Sequence, residues 1–224
     1  MFHIKICGVQ EIVDIEAVFG SGADAIGLNF YPPSCRFIDP EETSAAHLAS
    51  KAGELGLTRI GVFVNAPVEA MQRASERLEL EAVQLHGDEQ VGIVSGLHDK
   101  GITEVIRAIK LPVGPLTIQA IENRVNPWAS LGTHLLLDAD GGKNHGGTGK
   151  TLDWGTIRQW SDQRGDVSWT LAGGLNPGNV AAAIAKSGAA SVDTASGVEE
   201  DRGTKSGRLV SQFSKHALAS LQRS

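Results

Sequence analysis

Apolar positions along the 224-residue chain alternate between two patterns. Short runs of strand length occur at 4–7, 24–30, 58–64, 82–85, 103–109, 134–138, 167–172 and 190–193. Between them lie longer stretches in which apolar residues recur at helical spacing. The runs start 20 to 34 residues apart, which leaves room for one helix between consecutive strands. The helices carry start signals of their own. Asp39-Pro40-Glu41-Glu42 reads as a cap, a proline at the first helical position and a carboxylate three residues after the cap, and Asn176-Pro177 repeats the first two. The last helix is the clearest, because Leu209, Phe213, Ala217 and Leu221 place an apolar stripe on residues 206–222.

Strands that alternate with helices pair in parallel through right-handed crossovers, and eight such units are the number that closes a barrel. The expectation is an α/β fold, a single (βα)8 TIM-barrel domain over residues 1–224. An open doubly wound sheet accounts for the pattern less well. Its dinucleotide loop is missing, since the first strand is followed by Gly8-Val9-Gln10-Glu11 and not by G-x-G-x-x-G.

Charge and composition narrow the function classes. Lys and Arg number 20 against 26 Asp and Glu, a net charge of -6, with no basic face, so no nucleic-acid partner is expected. No apolar run reaches the length of a membrane span, and the N-terminus lacks the apolar core of a signal peptide, so a cytoplasmic protein with no membrane partner is expected. The two cysteines, Cys7 and Cys35, form neither a disulfide framework nor a zinc motif, and no metal is expected. Glycine is in excess at 27 residues, and fourteen of them lie between Gly141 and Gly207.

A TIM barrel carries its function where the strands end and in the loops that follow. Cys7 closes the first strand in Lys5-Ile6-Cys7-Gly8. A buried cysteine commonly serves as a small hydrophobe, but at a barrel mouth, with Lys5 on the same face of the strand, its pKa could be drawn down and the thiol act as a general base. Asp138 follows three leucines at the end of the sixth strand. It reads either as a loop ion pair or as a partly desolvated carboxyl group fit to act as a general acid. The run 141–151 resembles a P-loop but has Asn144 where the first glycine belongs, so a loop that closes over the site is expected there. Gly173-Gly174 after strand seven, and Asp193 through Ser196-Gly197 after strand eight, occupy the two loops in which barrels hold phosphate on backbone N–H groups. Arg36, on a loop stiffened by Pro32 and Pro33, is a candidate clamp for a carboxylate.

Taken together, these strings resemble one family, the phosphoribosylanthranilate isomerases of tryptophan biosynthesis. The resemblance is carried by Lys5-Ile6-Cys7-Gly8, Phe30-Tyr31-Pro32-Pro33-Ser34 with Arg36, Gly61-Val62-Phe63-Val64-Asn65 and Val83-Gln84-Leu85-His86-Gly87. Further along come Leu136-Leu137-Asp138, Gly146-Gly147-Thr148-Gly149-Lys150-Thr151, Gly173-Gly174-Leu175-Asn176-Pro177 and Ser196-Gly197-Val198-Glu199. It implies a cofactor-free Amadori rearrangement of N-(5-phosphoribosyl)anthranilate, with Asp138 as general acid on the ring oxygen and Cys7 as base at C2′. It also implies Arg36 on the anthranilate carboxylate, and Gly173, Gly174, Ser196 and Gly197 at the phosphate, with Asp193 grouped with them. The partner implied is a small phosphorylated substrate, and the assembly a monomer or homodimer. Two other readings compete: a related sugar-phosphate isomerase of histidine biosynthesis, in which an aspartate stands where this chain has Cys7, and a barrel that binds a phosphate ligand without chemistry.

Overall fold

In the computed structural model, which describes residues 1–140 and 151–222, eight parallel strands close into a barrel in sequence order. They are β1 (Ile4–Cys7), β2 (Ala25–Asn29), β3 (Thr58–Phe63), β4 (Ala82–Leu85), β5 (Val105–Pro112), β6 (His134–Asp140), β7 (Trp169–Leu171) and β8 (Val192–Thr194). The ring shuts where β1 pairs with β8, Lys5 opposite Asp193. Helices α1 (Ile12–Ser21), α2 (Thr43–Glu54), α3 (Val68–Leu78), α4 (Ile93–Asp99), α5 (Ile118–Ala129), α6 (Trp154–Ser161), α7 (Val180–Ser187) and α8 (Gly207–Leu221) follow the strands in turn. The fold is the expected TIM barrel. The glycine-rich run 141–150, expected to close over the site, lies outside the described residues.

The strands separate two cores. Ile4, Ile6, Leu28, Val83, Leu85, Leu135 and Leu137 pack outward against the helices. Inside, a smaller cluster of Phe2, Ala25, Ile60, Ala82, Ile106, Ala108, Leu136 and Ala172 fills the barrel. Four of its eight members are alanine, and these small side chains leave interior volume that Lys5 and Gln84 occupy, both fully buried. Because side chains two apart share a face of a strand, Cys7 stands above Lys5, Lys110 above Ala108 and Asp138 above Leu136, all at the C-terminal mouth. Cys7, Lys110 and Asp138 therefore stand together at one end of the barrel.

Two of the expected helix starts are displaced for one reason. Asp39 Oδ1 accepts the N–H of Glu41 at 2.9 Å, and Asn176 Oδ1 that of Gly178 at 2.8 Å. Each side chain closes a turn two residues ahead and so does not cap a helix, and α2 and α7 begin only at Thr43 and Val180. On α8 the buried row is Val210, Phe213, Ser214 and Ala217, while Leu209 and Leu221 lie at its edge. A strict four-residue row runs obliquely to the helix axis, so its two ends leave the contact face.

The segment between β8 and α8 was expected to be loop. It contains a 3-10 turn, Ser196–Val198, and a small antiparallel hairpin of β9 (Glu199–Asp201) and β10 (Thr204–Lys205). Four consecutive charged residues, Glu199, Glu200, Asp201 and Arg202, hide this hairpin in the sequence by reading as solvated chain. The barrel's opposite end is closed by polar contacts: His134 Nδ1 lies 2.7 Å from Ser168 Oγ, and its Nε2 2.7 Å from Thr170 Oγ1, which in turn meets Ser191 Oγ.

Candidate active site

At the C-terminal mouth the ends of β6, β7, β8 and β1 are neighbours in that order. Asp138 lies near the end of the first of these and Cys7 ends the last, and the glycine-rich loops after β7 and β8 lie between them. A ligand anchored in those loops would have the thiol on one side and the carboxyl group on the other.

Cys7 is buried, and its Sγ fits only because β2 carries Gly27 in register with it. Beneath it, Lys5 Nζ lies 2.8 Å from Asp193 Oδ1, off the line of a good hydrogen bond, and both side chains are nearly inaccessible. Burial pushes the Cys7 thiol above its ordinary value, and Asp193 adds to this. Lys5, Lys205 and Arg36 pull it down without reversing the outcome. The expectation that Lys5 draws the thiol below its ordinary value is thus corrected, because the thiolate loses its hydration and the lysine already faces a carboxylate. For Lys5 the balance goes the other way: burial opposes its charge, but Asp193 and Cys7 outweigh that and raise it. Asp193, grouped with the ligand-binding residues on sequence grounds, points at Lys5 within the barrel. Its position suits the support of Lys5 and not contact with a phosphate.

Arg36 is held by Glu199, donating from Nε at 2.5 Å and from Nη2 at 2.7 Å. Lys205 Nζ donates to the same carboxylate at 2.7 Å and to the carbonyl of Ala195 at 3.0 Å, and the Gly203 N–H adds a fourth donor. Burial favours the neutral form of Glu199, but its donors prevail and hold it below the usual carboxylate range. Burial lowers Lys205 despite that pairing, whereas Glu199 raises Arg36. The small β9–β10 hairpin thus orients Arg36 and leaves its Nη1 edge to address a ligand. Glu199 and Lys205 were missed as a pair, since five residues of apparently irregular chain separate them.

The phosphate-loop residues are placed as a site for backbone donors. Gly173 and Gly174 both have positive φ, 82° and 69°, a conformation that suits glycine and lets successive N–H groups converge. Gly197 sits against the carbonyl of Leu175, where no side chain fits, and Thr194 Oγ1 donates to that same carbonyl at 2.7 Å. Ser196 is exposed at the start of the 3-10 turn. The two loops are thereby locked together at the mouth.

On the other side, His86 Nε2 lies 3.4 Å from Asp138 Oδ2, and Gln84 Nε2 lies 2.9 Å from His86 Nδ1. The turn that carries His86 is fixed from behind. Glu89 accepts the N–H groups of Asn65 and Gly87 at 2.8 and 2.9 Å and pairs with Arg107, whose guanidinium lies 4.3 Å from the centre of the Trp128 ring. Cys7, Asp138, Arg36 and the four phosphate-loop residues expected from sequence are therefore gathered at one mouth.

Compared with known proteins, residues 4–216 match the family model of N-(5'phosphoribosyl)anthranilate (PRA) isomerase. The chain belongs to this family. Among curated N-(5'-phosphoribosyl)anthranilate isomerases it is 37% identical to that of Rhodospirillum rubrum over 218 residues, 95% of each chain, and 38% identical to that of Myxococcus xanthus over 215 residues, 96% of this chain and 95% of the other. The crystal structure of phosphoribosyl anthranilate isomerase from Thermotoga maritima superposes with a TM-score of 0.84 at 33% identity, covering 98% of this chain and all of that one. A phosphoribosyl anthranilate isomerase in complex with reduced 1-(o-carboxyphenylamino)-1-deoxyribulose 5-phosphate superposes at 0.80 with 32% identity over the same shares. A further T. maritima structure, of monomers generated from a dimeric isomerase, gives 0.79 at 32%. Among the described residues no helix is long and apolar enough to cross a membrane.

Proposed function

We propose that the chain catalyses the Amadori rearrangement of N-(5-phosphoribosyl)anthranilate to 1-(o-carboxyphenylamino)-1-deoxyribulose 5-phosphate, a step of tryptophan biosynthesis. The single observation that carries the division of labour is the order of groups around the mouth: acid on β6, anion loops after β7 and β8, thiol on β1. A sugar phosphate held by the N–H groups of Gly173, Gly174, Ser196 and Gly197 extends its furanose ring between Asp138 and Cys7. Asp138 protonates the ring oxygen, which opens the sugar to a Schiff base. The Cys7 thiolate takes the proton from C2′, and the resulting enolamine tautomerises to the ketone. Arg36 holds the anthranilate carboxylate from its free edge. The reaction exchanges protons within one molecule, so this chain's acid, base and donors suffice for every step.

The thiol's raised pKa makes its thiolate a stronger but scarcer base at neutral pH, so kcat/KM is expected to rise with pH on the alkaline side of neutrality. The test is the loss of substrate fluorescence on mixing purified protein with freshly generated phosphoribosylanthranilate. Turnover that Cys7→Ala and Asp138→Ala each reduce by roughly 10²-fold or more is expected; unimpaired variants would overturn the assignment. Residence in the cytoplasm and a monomeric or homodimeric state accord with this reading, and sedimentation at working concentration decides between the two states.

A further inference from the structure

We infer that His86, set by Gln84, is a positioning residue that stores the proton Asp138 delivers, so that Gln84, His86 and Asp138 work as one proton-holding unit. This rests on the reading of Asp138 as the general acid. A carboxyl group that gives up a proton in each turnover needs a neighbour from which to take one, and an imidazole can serve as that carrier.

The geometry supplies the link. His86 leaves the end of β4 and Asp138 stands on β6, two strands away, with β5 between them. At the level of His86 the inward residue of β5 is Ala108, a fully buried side chain small enough for the ring to pass over it. His86 Nε2 thereby comes within 3.4 Å of Asp138 Oδ2. His86 is held by its own N–H on the carbonyl of Phe63 at 2.9 Å and by Gln84 on Nδ1.

Gln84 has an unsatisfied feature that fits the proposal. Its side chain is fully buried, its Nε2 faces His86 Nδ1, and its Oε1 has no partner among the described residues. As placed, the amide donates to a bare Nδ1, and the ring proton sits on Nε2, facing the Asp138 carboxylate. Turned over, the same amide accepts from Nδ1–H, which stabilises either the imidazolium or the tautomer whose bare Nε2 takes a hydrogen bond from a protonated Asp138. One buried amide thus supports every protonation state through which the pair must pass.

The protons balance. The Nε2 proton of the His86 imidazolium passes to the Asp138 carboxylate and from there to the ring oxygen, leaving His86 neutral with Nδ1–H on Gln84. The proton lost from C2′ to Cys7 is matched by the one C1′ takes up. The one lost by the pair is matched by that released from the 2′-hydroxyl as the ketone forms. The other charged groups around His86 are Lys110 on β5, in register with Asp138, Glu89 in the following turn, and Cys7 with Lys5 across the mouth. Glu89 is engaged by Arg107 and two backbone N–H groups, and Lys110 is exposed, which leaves Asp138 as the charged partner of the imidazole.

The experiment is kcat/KM against pH for the wild type, His86→Asn, Gln84→Leu and Asp138→Asn. In His86→Asn the low-pH break of the wild-type profile is displaced, and kcat/KM at pH 7 falls roughly 10- to 300-fold. Gln84→Leu displaces the same break while leaving the ring in place, and keeps the test open if His86→Asn folds poorly. An active Asp138→Asn would refute the acid assignment itself. An inactive Asp138→Asn together with a His86→Asn variant that keeps the wild-type low-pH break would refute only the role given to His86.

Discussion

Gly27→Ala isolates the geometry of Cys7, the proposed base, from its chemistry. Gly27 lies on β2 directly in register with Cys7, and the Gly8 N–H donates to its carbonyl at 2.8 Å. A methyl group at residue 27 would stand 2.7 Å from Cys7 Sγ and 3.1 Å from the Cys7 Cα. An unstrained contact needs about 3.5–4.0 Å, so the sulfur must withdraw by roughly 1 Å. A displacement of that size between reacting atoms costs on the order of 10²-fold in rate. The backbone at residue 27 has no positive φ to forbid alanine, and overpacking of this kind destabilises by about 1–3 kcal/mol, within the stability of an ordinary domain. The variant is therefore expected to fold and to lose about 100-fold in kcat/KM in the fluorescence assay, with circular dichroism unchanged. Alkylation of Cys7, followed in a Cys35→Ser background, should still occur, since the thiol is moved and not removed. A folded Gly27→Ala enzyme within about threefold of the wild type would show that Cys7 Sγ is not the group whose position limits the reaction.

Glu199→Gln leaves Lys205 buried without its carboxylate and Arg36 without its anchor; a loss of about 3 kcal/mol and roughly 6–12 °C in Tm is expected by thermal denaturation. Gly197→Ala drives a methyl group into the Leu175 carbonyl, so KM is expected to rise about tenfold or more and by a larger factor than kcat falls, as for a lost transition-state-indifferent phosphate contact. Burial, with help from the terminal amino group and Lys5, lowers His134 to about 4. A depressed pKa means stability that is complete above about 6.5 and is lost as the pH falls towards 4. The loss is about 1.4 kcal/mol per unit, or some 2 kcal/mol by pH 5. Urea denaturation at pH 7.5 and 5 should show that difference in the wild type and not in His134→Gln.

The barrel was legible because its signal is repetitive. Every strand of the barrel overlaps an apolar run in the sequence, and the errors fall at ends, where local side-chain chemistry decides: Asp39 and Asn176 close turns where a cap was expected. The mouth was legible for the same reason, since the C-terminal end of each strand is known once the strand is. What sequence could not supply was which charges meet. Glu199 and Lys205 come together through a hairpin disguised as a charged loop, Asp193 turns inward to Lys5, and His86 reaches Asp138 across a strand because residue 108 is alanine. Each depends on a side chain's direction or a neighbour's size, neither of which periodicity encodes. The thiol illustrates the point best. Spacing places Lys5 beneath Cys7, but only the three-dimensional arrangement shows that burial outweighs the lysine.

The acidic balance of the chain and the anionic ligand its mouth suits are reconciled by where the charges sit. Of the mouth cations, Lys5 is paired with Asp193, and Arg36 and Lys205 share Glu199, while Lys110 makes no ion pair among the described residues. Pairing keeps buried cations from destabilising the empty barrel. It also blunts their attraction for an anion, so the loops proposed to hold phosphate would rely on backbone donors from glycine and serine. Those donors carry no net charge, need no counter-ion when empty, and are held in place by the Gly197 contact and the Thr194 hydrogen bond to Leu175. Gly173, Gly174 and Gly197 suit such an arrangement. A site built from N–H groups requires a backbone that approaches its ligand closely, and the side chains that would obstruct it are absent.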